Sequence, residues 1–173
     1  MAQTEIGKYS AAEKLNKMDL DVITVTATTD AEQINQYAVV SQSIEIPFAV
    51  AENGGSAMIQ SLTLLDEANT TMTCDVVFSS VSTAITDDEG KAVGEDVSNL
   101  DTILRSVQGH ISIVAGDYTD LIDARVATKT NIQLAVQAAS GSTSLYMHII
   151  NQGSAVTFGA TTDIKVKIGI LKD

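Results

Sequence analysis

Apolar and polar residues alternate along much of this chain, and the alternation is clearest near the C-terminus. In residues 163–171, the even positions hold Ile164, Val166, Ile168 and Ile170, while Asp, Lys or Gly fills the odd positions up to 169. A period of two is typical of a strand with one buried face and one solvated face. The charged residues fix the register, because a slip of one residue would bury all of them. The sequence therefore predicts a closing strand that is held in a sheet.

Similar patterns recur at short spacing through the rest of the chain. The predicted strands cover residues 22–28, 39–50, 57–65, 71–81, 109–114, 128–136, 145–151 and 163–171. Residues 66–69 are predicted to join two of these strands as a hairpin loop, and residues 98–105 to form one short helix. This profile predicts an all-β protein, an antiparallel β-sandwich or jelly roll with an N-terminal extension and one short helix.

The first 38 residues differ from the rest and are interpreted as an N-terminal arm with a short helix and the first strand. Residues 39–173 are then the sandwich domain. Ser10 and Glu13 have the spacing of a capping box, which predicts an amphipathic helix over residues 9–20. So short a helix needs a partner surface, either the body of the same chain or a neighbouring subunit. The candidate partner-binding residues are Tyr9, Leu15, Met18, Val22, Ile23, Ile34 and Tyr37.

The chain is strongly acidic. Its formal net charge is −12 and its pI is about 4.3. Such a charge repels nucleic-acid phosphates and anionic lipid, and no cluster of Lys and Arg offers a local exception. There is also no apolar run of about 18 residues and no signal peptide at the N-terminus. We therefore expect no nucleic-acid or membrane partner, and synthesis in the cytoplasm.

The residues that usually carry chemistry are few. Cys74 is the only cysteine and lies in a strand-like segment, so a buried, small apolar role is predicted. The two histidines, His110 and His148, stand alone in separate strands and cannot supply the several ligands of a cupin metal site. A Gly-x-Ser-x-Gly elbow and a phosphate-binding loop are absent. We expect a protein that is not an enzyme, with no cofactor, no catalytic residue and no metal.

Two loops leave other binding roles open. The acidic tip formed by Asp87, Asp88 and Glu89 is interpreted as solvated, with a bound calcium ion as the alternative. A carbohydrate-binding module would need exposed aromatic faces, but the chain has no Trp and only scattered Tyr. Tyr118, in a predicted turn, is the best single candidate for a sugar contact.

Several strand and turn segments together resemble a known group of proteins. They are residues 43–47, 54–55, 61–66, 75–78, 112–114, 117–118, 127–129, 141–146 and 167–171. In these segments the chain resembles small virion proteins of tailed bacteriophages. The resemblance implies a jelly-roll structural protein without catalytic residues, of the kind that decorates the outer lattice of some phage capsids. Residues 1–38 lie outside it.

The resulting hypothesis is a capsid decoration (cement) protein that binds the major capsid protein at the virion surface and self-associates as a dimer or trimer. Residues 1–38 are expected to be the main partner-facing segment, so their deletion should abolish capsid binding and leave the sandwich folded. A tail or fibre component that recognises a host surface glycan is the alternative. A hydrolase built on a sandwich scaffold is the third hypothesis.

Overall fold

The computed structural model describes residues 19–30, 32–86, 88–95 and 100–172. These residues form eleven β-strands, one α-helix and one 3-10 helix. The strands are β1 (Asp19–Ala27), β2 (Gln33–Ile34), β3 (Val39–Ile46), β4 (Ser56–Asp66), β5 (Cys74–Ser79), β6 (Val107–Ile113), β7 (Tyr118–Asp120), β8 (Arg125–Gln137), β9 (Leu145–Asn151), β10 (Val156–Thr157) and β11 (Ile164–Lys172). The α-helix is α1 (Leu100–Ser106), and the 3-10 helix covers Ala115–Asp117.

The strands form two main sheets, in which every pairing is antiparallel. The five-stranded sheet has the order β1-β11-β4-β8-β7, and the four-stranded sheet has the order β3-β9-β5-β6. A small separate ladder pairs β2 with β10. Numbered 1 to 8 along the chain, the strands β1, β3, β4, β5, β6, β8, β9 and β11 give the orders 1-8-3-6 and 2-7-4-5. This order is that of a jelly roll. The predicted all-β sandwich is therefore confirmed, and of the two predicted forms, sandwich or jelly roll, it is the jelly roll.

The main core lies between the two sheets. Ile164, Val166 and Ile168 of β11 contribute one inner face, and Val76 and Phe78 of β5 contribute the other; all five side chains are fully buried. Burying a large apolar side chain stabilises a protein by about 1.5–3 kcal/mol. The apolar positions that predicted the closing strand therefore form the face of β11 that is buried in the core.

Strand β11 lies inside the five-stranded sheet, paired on both sides. Ile168 is opposite Ile23 of β1 and Leu62 of β4, and the register with β4 shifts at a bulge between Gly169 and Ile170. The predicted closing strand is confirmed, since it receives ladder hydrogen bonds from two neighbours.

The predicted hairpin between residues 57–65 and 71–81 is wrong. Strand β4 pairs with β11 and β8, whereas β5 pairs with β9 and β6, so the chain crosses from one sheet to the other between them. The Asp66 side chain holds this crossing: its Oδ2 accepts hydrogen bonds from the N–H and hydroxyl of Thr70 and from the N–H of Thr71 at 2.7–3.0 Å. The predicted turn is present at residues 67–68, but it connects strands of two different sheets and not two neighbouring strands of one sheet.

The described part of residues 1–38 adds to the sandwich. Strand β1 pairs with β11 over nine residues, and Ala27 and Ile34 are fully buried in the common core. The helix predicted over residues 9–20 lies outside the described residues, except for Asp19 and Leu20, which begin β1. The structure therefore has no break in the core at residue 38, and the predicted first strand belongs to the sandwich.

Helix α1 packs on the outer face of the four-stranded sheet. Its Ile103 forms a second small core with Val39 and Ile85, against which Ile150 packs. Asp101 lies in the first turn, as the sequence predicted, and pairs with Arg105 at 2.9 Å. No helix in the described part of the chain has the length and apolar character needed to cross a membrane.

Candidate interaction surface

Strand β1 is an edge strand with an apolar outer surface. Among the described residues only β11 pairs with it, so its other side has no strand partner there, although the Val22 N–H is already used in a hydrogen bond to Asp21 Oδ1 at 2.9 Å. Leu20 is 67% exposed and Val22 is 62% exposed, while Val25 and Ala27 on the opposite face enter the core. An edge strand of this kind is a ready template for contact with another chain.

The exposed residues of β1 continue across the sheet. Leu20 is opposite Leu171 of β11, which in turn is opposite Met58 of β4. Residues in one such row share a face of the sheet. We call Leu20, Val22, Leu171 and Met58 the β1 patch. A contiguous apolar patch, unlike scattered apolar residues, indicates a contact site.

A glycine shapes the centre of this patch. Gly169 is opposite Val22 on one side and Ser61 on the other. A Cβ atom at Gly169 would lie 2.3 Å from the Ser61 hydroxyl, so a side chain there would require that hydroxyl to move. Val22 therefore stands beside a flat stretch of backbone, which leaves its side chain accessible.

An ion pair closes the same end of the sheet. Lys172 Nζ donates to Asp21 Oδ2 at 2.7 Å, joining the last residues of β11 to the first of β1. The hydrogen bond and charge of Lys172 lower the pKa of the Asp21 carboxyl. The pair fixes the position of β1 at the point where residues 1–18 lead into the sheet.

The structure separates the residues predicted to bind a partner. Tyr9, Leu15 and Met18 lie outside the described residues. Val22 is exposed on the β1 patch, and Tyr37 is 58% exposed between β2 and β3. The side chains of Ile23 and Ile34 point into the sandwich: Ile23 packs against the core and Ile34 is fully buried.

A second apolar surface, which sequence reasoning missed, lies beside helix α1. A groove of about 230 Å³ runs between α1 and the four-stranded sheet, lined mainly by Val77, Ile103, Leu104, Val107 and Ile150. Leu104 is 55% exposed at its rim. The signal was present in the predicted helix, since Ile103 and Leu104 are consecutive apolar residues near its C-terminal end.

The two histidines, far apart in sequence, share one row of the four-stranded sheet. Val77 of β5 is opposite His110 on one side and His148 on the other. His148 is buried, and its Nδ1 accepts a hydrogen bond from the Ser43 N–H at 3.2 Å. Burial lowers the pKa of His148 to about 4, which keeps the ring neutral near pH 7. Its Nε2 is buried and has no hydrogen-bond partner among the described residues.

Groups suited to a metal ion do not converge in the described part of the chain. No cluster of three His, Cys, Asp or Glu side chains there could hold an ion. Asp87 lies outside the described residues, and Asp88 beside it is exposed. The alternative of a calcium ion at this acidic loop stays a prediction.

Tyr118 and Cys74 serve the fold. The Tyr118 hydroxyl donates to the Met72 carbonyl at 2.8 Å, and burial, the largest cause, raises the pKa of that hydroxyl. Cys74 is fully buried, as predicted, and burial raises the pKa of its thiol to about 12. A thiol so protected is a poor nucleophile at neutral pH.

Comparison with known proteins gives structural likenesses only. No protein-family model and no curated protein sequence matches the chain. Among solved structures it is similar to the vertex protein P5 of PRD1, with 11% identity over 88% of this chain and 96% of that one and a TM-score of 0.38. It is also similar to the capsid of Ralstonia phage GP4, with 11% identity over 99% and 92% and a TM-score of 0.39. A third likeness is to Israeli acute paralysis virus, with 12% identity over 99% and 81% and a TM-score of 0.25. The fold assignment rests on the strand order given above.

Proposed function

We propose that this protein is a non-enzymatic structural component of a bacteriophage virion, which binds the major capsid protein and stabilises its lattice as a decoration protein. The observation that carries the proposal is the β1 patch: a jelly-roll edge strand with exposed Leu20 and Val22, which pairs on one side only among the residues that the structure describes. The sequence resemblance to phage virion proteins points in the same direction. Residues 1–18 precede this edge directly, and they contain Tyr9, Leu15 and Met18.

The edge can bind another subunit by two additive effects. A strand of the partner can hydrogen-bond to the free side of β1, and partner side chains can cover the β1 patch. Each contact of this size is weak alone, but a decoration protein bound at many equivalent joints stabilises a lattice through their number. The interaction needs no cavity, cofactor or bond-making step.

The test is cosedimentation of the protein with purified capsids of its phage. We expect Val22→Lys and deletion of residues 1–18 each to reduce binding strongly, because one places a charge on the β1 patch and the other removes the adjoining segment. Phe48→Lys is the matched control, since Phe48 is 71% exposed in the turn after β3. Unchanged binding by both altered proteins would overturn the proposal.

The structure shows that residues 1–18, and not residues 1–38, are the segment to delete in this test. Removing residues 1–38 would also remove β1 and the buried Ala27 and Ile34, so loss of binding could result from an opened core. Deletion of residues 1–18 leaves all described strands intact. Copy number per particle then separates the locations: hundreds of copies support decoration, whereas a few copies per tail would place the protein in a tail or fibre.

A further inference from the structure

The loop between β7 and β8 exposes an isoleucine in a strained conformation. Ile122 is 88% exposed, and its φ of 79° is rare for a β-branched residue. The loop is tightly held: Leu121 N–H donates to Ala124 O at 2.8 Å, and Ile122 N–H donates to Asp120 Oδ1 at 2.9 Å. Strain of this kind persists where the surrounding structure enforces it and is concentrated at functional positions. The loop backbone is therefore held in place, and it presents the Ile122 side chain to solvent.

A groove lies beside this loop on the outer face of the five-stranded sheet. Its volume is about 260 Å³, and its apolar lining comes largely from Leu65, Leu121 and Val126. Leu121 belongs both to the loop and to the groove wall, so the exposed side chain and the groove are neighbours on one surface. We call this the β8 groove.

Two lysines and two threonines form the polar part of the β8 groove. Lys165 is paired with Glu67 at 2.5 Å, but the exposed Lys167 has no ion pair among the residues that the structure describes. Asp123 in the loop is also exposed and, within the same described set, forms no salt bridge. One surface thus presents the apolar side chain of Ile122 with the carboxylate of Asp123 next to it. Beside them lies the apolar β8 groove with the ammonium group of Lys167.

We propose that two copies of this chain associate through this surface, with Ile122 of each copy entering the β8 groove of the other and Asp123 facing the other copy's Lys167. Because the loop and the groove adjoin each other, the surface is complementary to itself, and a self-complementary patch gives a closed two-fold dimer. The charge complementarity favours a second copy over a neutral apolar occupant. The contact involves neither Leu20 nor Val22 and so goes beyond the proposed binding of capsid.

The experiment is sedimentation velocity on the full-length protein over a range of concentrations at moderate salt, which screens the overall repulsion between two acidic chains. The wild type should form a dimer, and Ile122→Gly should weaken dimerisation by at least about tenfold, because each copy loses a buried side chain. Glycine adopts the positive φ freely, so this variant should fold at least as well as the wild type. Phe48→Gly, which removes another exposed apolar side chain, should leave the dimer unchanged.

A charge exchange tests the pairing itself. Lys167→Glu alone should weaken the dimer, and the double variant Lys167→Glu with Asp123→Lys should restore it. A wild type that stays monomeric at every concentration, or a dimer unaffected by Ile122→Gly, would overturn the proposal. The measurement contains no capsid, so a failure to dimerise would not contradict the proposed capsid binding through β1. Conversely, loss of capsid binding by Val22→Lys would not contradict the proposed dimer.

Discussion

The backbone N–H of Ser43 donates to Nδ1 of His148 at 3.2 Å, across the bulge where β3 pairs with β9. Ser43 has a φ of 54°, so the hydrogen bond accompanies an unusual backbone conformation. The bond requires an unprotonated Nδ1, because only that form can accept. The position of β3, an edge strand, therefore depends on the buried His148 ring being neutral.

Protonation of His148 should destabilise the fold. Burial lowers the pKa of His148 from 6.5 to about 4, so between these values the unfolded chain binds the proton more readily than the folded chain. The stability contribution is complete above pH 6.5 and is lost as the pH falls towards 4, with a total on the order of 3 kcal/mol. Urea unfolding at a series of pH values measures it. His148→Gln should flatten this dependence, whereas His110→Gln, at an exposed position, should retain it.

Asp66 should be critical for the crossing between the sheets. Asp66→Ala leaves the part-buried N–H groups of Thr70 and Thr71 without their acceptor, at about 1–2 kcal/mol for each group. Chemical denaturation should show a loss of about 2–4 kcal/mol. Glu67→Ala is the adjacent control: it breaks an exposed pair with Lys165 and should cost less than about 1 kcal/mol. Equal losses in both variants would contradict the role given to Asp66.

Gly169→Ala should strain the sheet, because its Cβ would lie 2.3 Å from the Ser61 hydroxyl. The Ser61 hydroxyl must rotate to make room, while the Ser61 Cβ at 3.6 Å can stay, so we expect a cost of about 1 kcal/mol. Ser61→Ala in the same chain should recover much of it, which a double-mutant cycle in thermal unfolding would reveal. Gly116→Ala, where a Cβ has nothing within 4 Å, should be close to neutral.

Two phenylalanines offer a direct comparison of burial. Phe78 is fully buried between the sheets, while Phe48 is 71% exposed. Phe78→Ala should cost about 3–5 kcal/mol, and Phe48→Ala about 0.5 kcal/mol or less. The denaturation midpoints of the two variants provide the measurement, and similar midpoints would contradict the assigned core.

Cys74 should report on unfolding. Its thiol is fully buried and its pKa is raised to about 12, so thiolate at neutral pH is scarce in the folded protein. A thiol reagent should label it slowly under native conditions and rapidly in denaturant. As the chain has one cysteine, the labelled fraction follows that single site. Rapid labelling without denaturant would show that β5 opens locally.

The elements that sequence alone predicted best are those with one buried face. The strand over residues 145–151 has the same bounds in the structure, and the closing strand differs by one residue at each end. The alternation of apolar and polar residues predicts these strands well because the polarity of each residue matches the burial of its own position. The hairpin at residues 66–69 failed because turn residues indicate where a strand ends and not which sheet the next strand joins.

The candidate surfaces were predicted only in part. Val22 emerged from the sequence as a contact residue, but its exposure depends on β1 being an edge strand. Ile34 was named with it and is buried, because two short strands fold this segment onto the core. The β8 groove could not be predicted, since Leu65, Val126 and Lys167 come from three strands that only the register brings together.

The sequence by itself determined the all-β class, the positions of most long strands and the apolar role of Cys74, because each follows from local alternation and composition. The tertiary structure decided the jelly-roll order, the crossing at Asp66, the shared row of His110 and His148, and the surfaces around Val22 and Ile122. These features depend on pairing between residues far apart in the chain. A local pattern records which face of a strand is buried, whereas the choice of neighbouring strand is made by packing of the whole molecule.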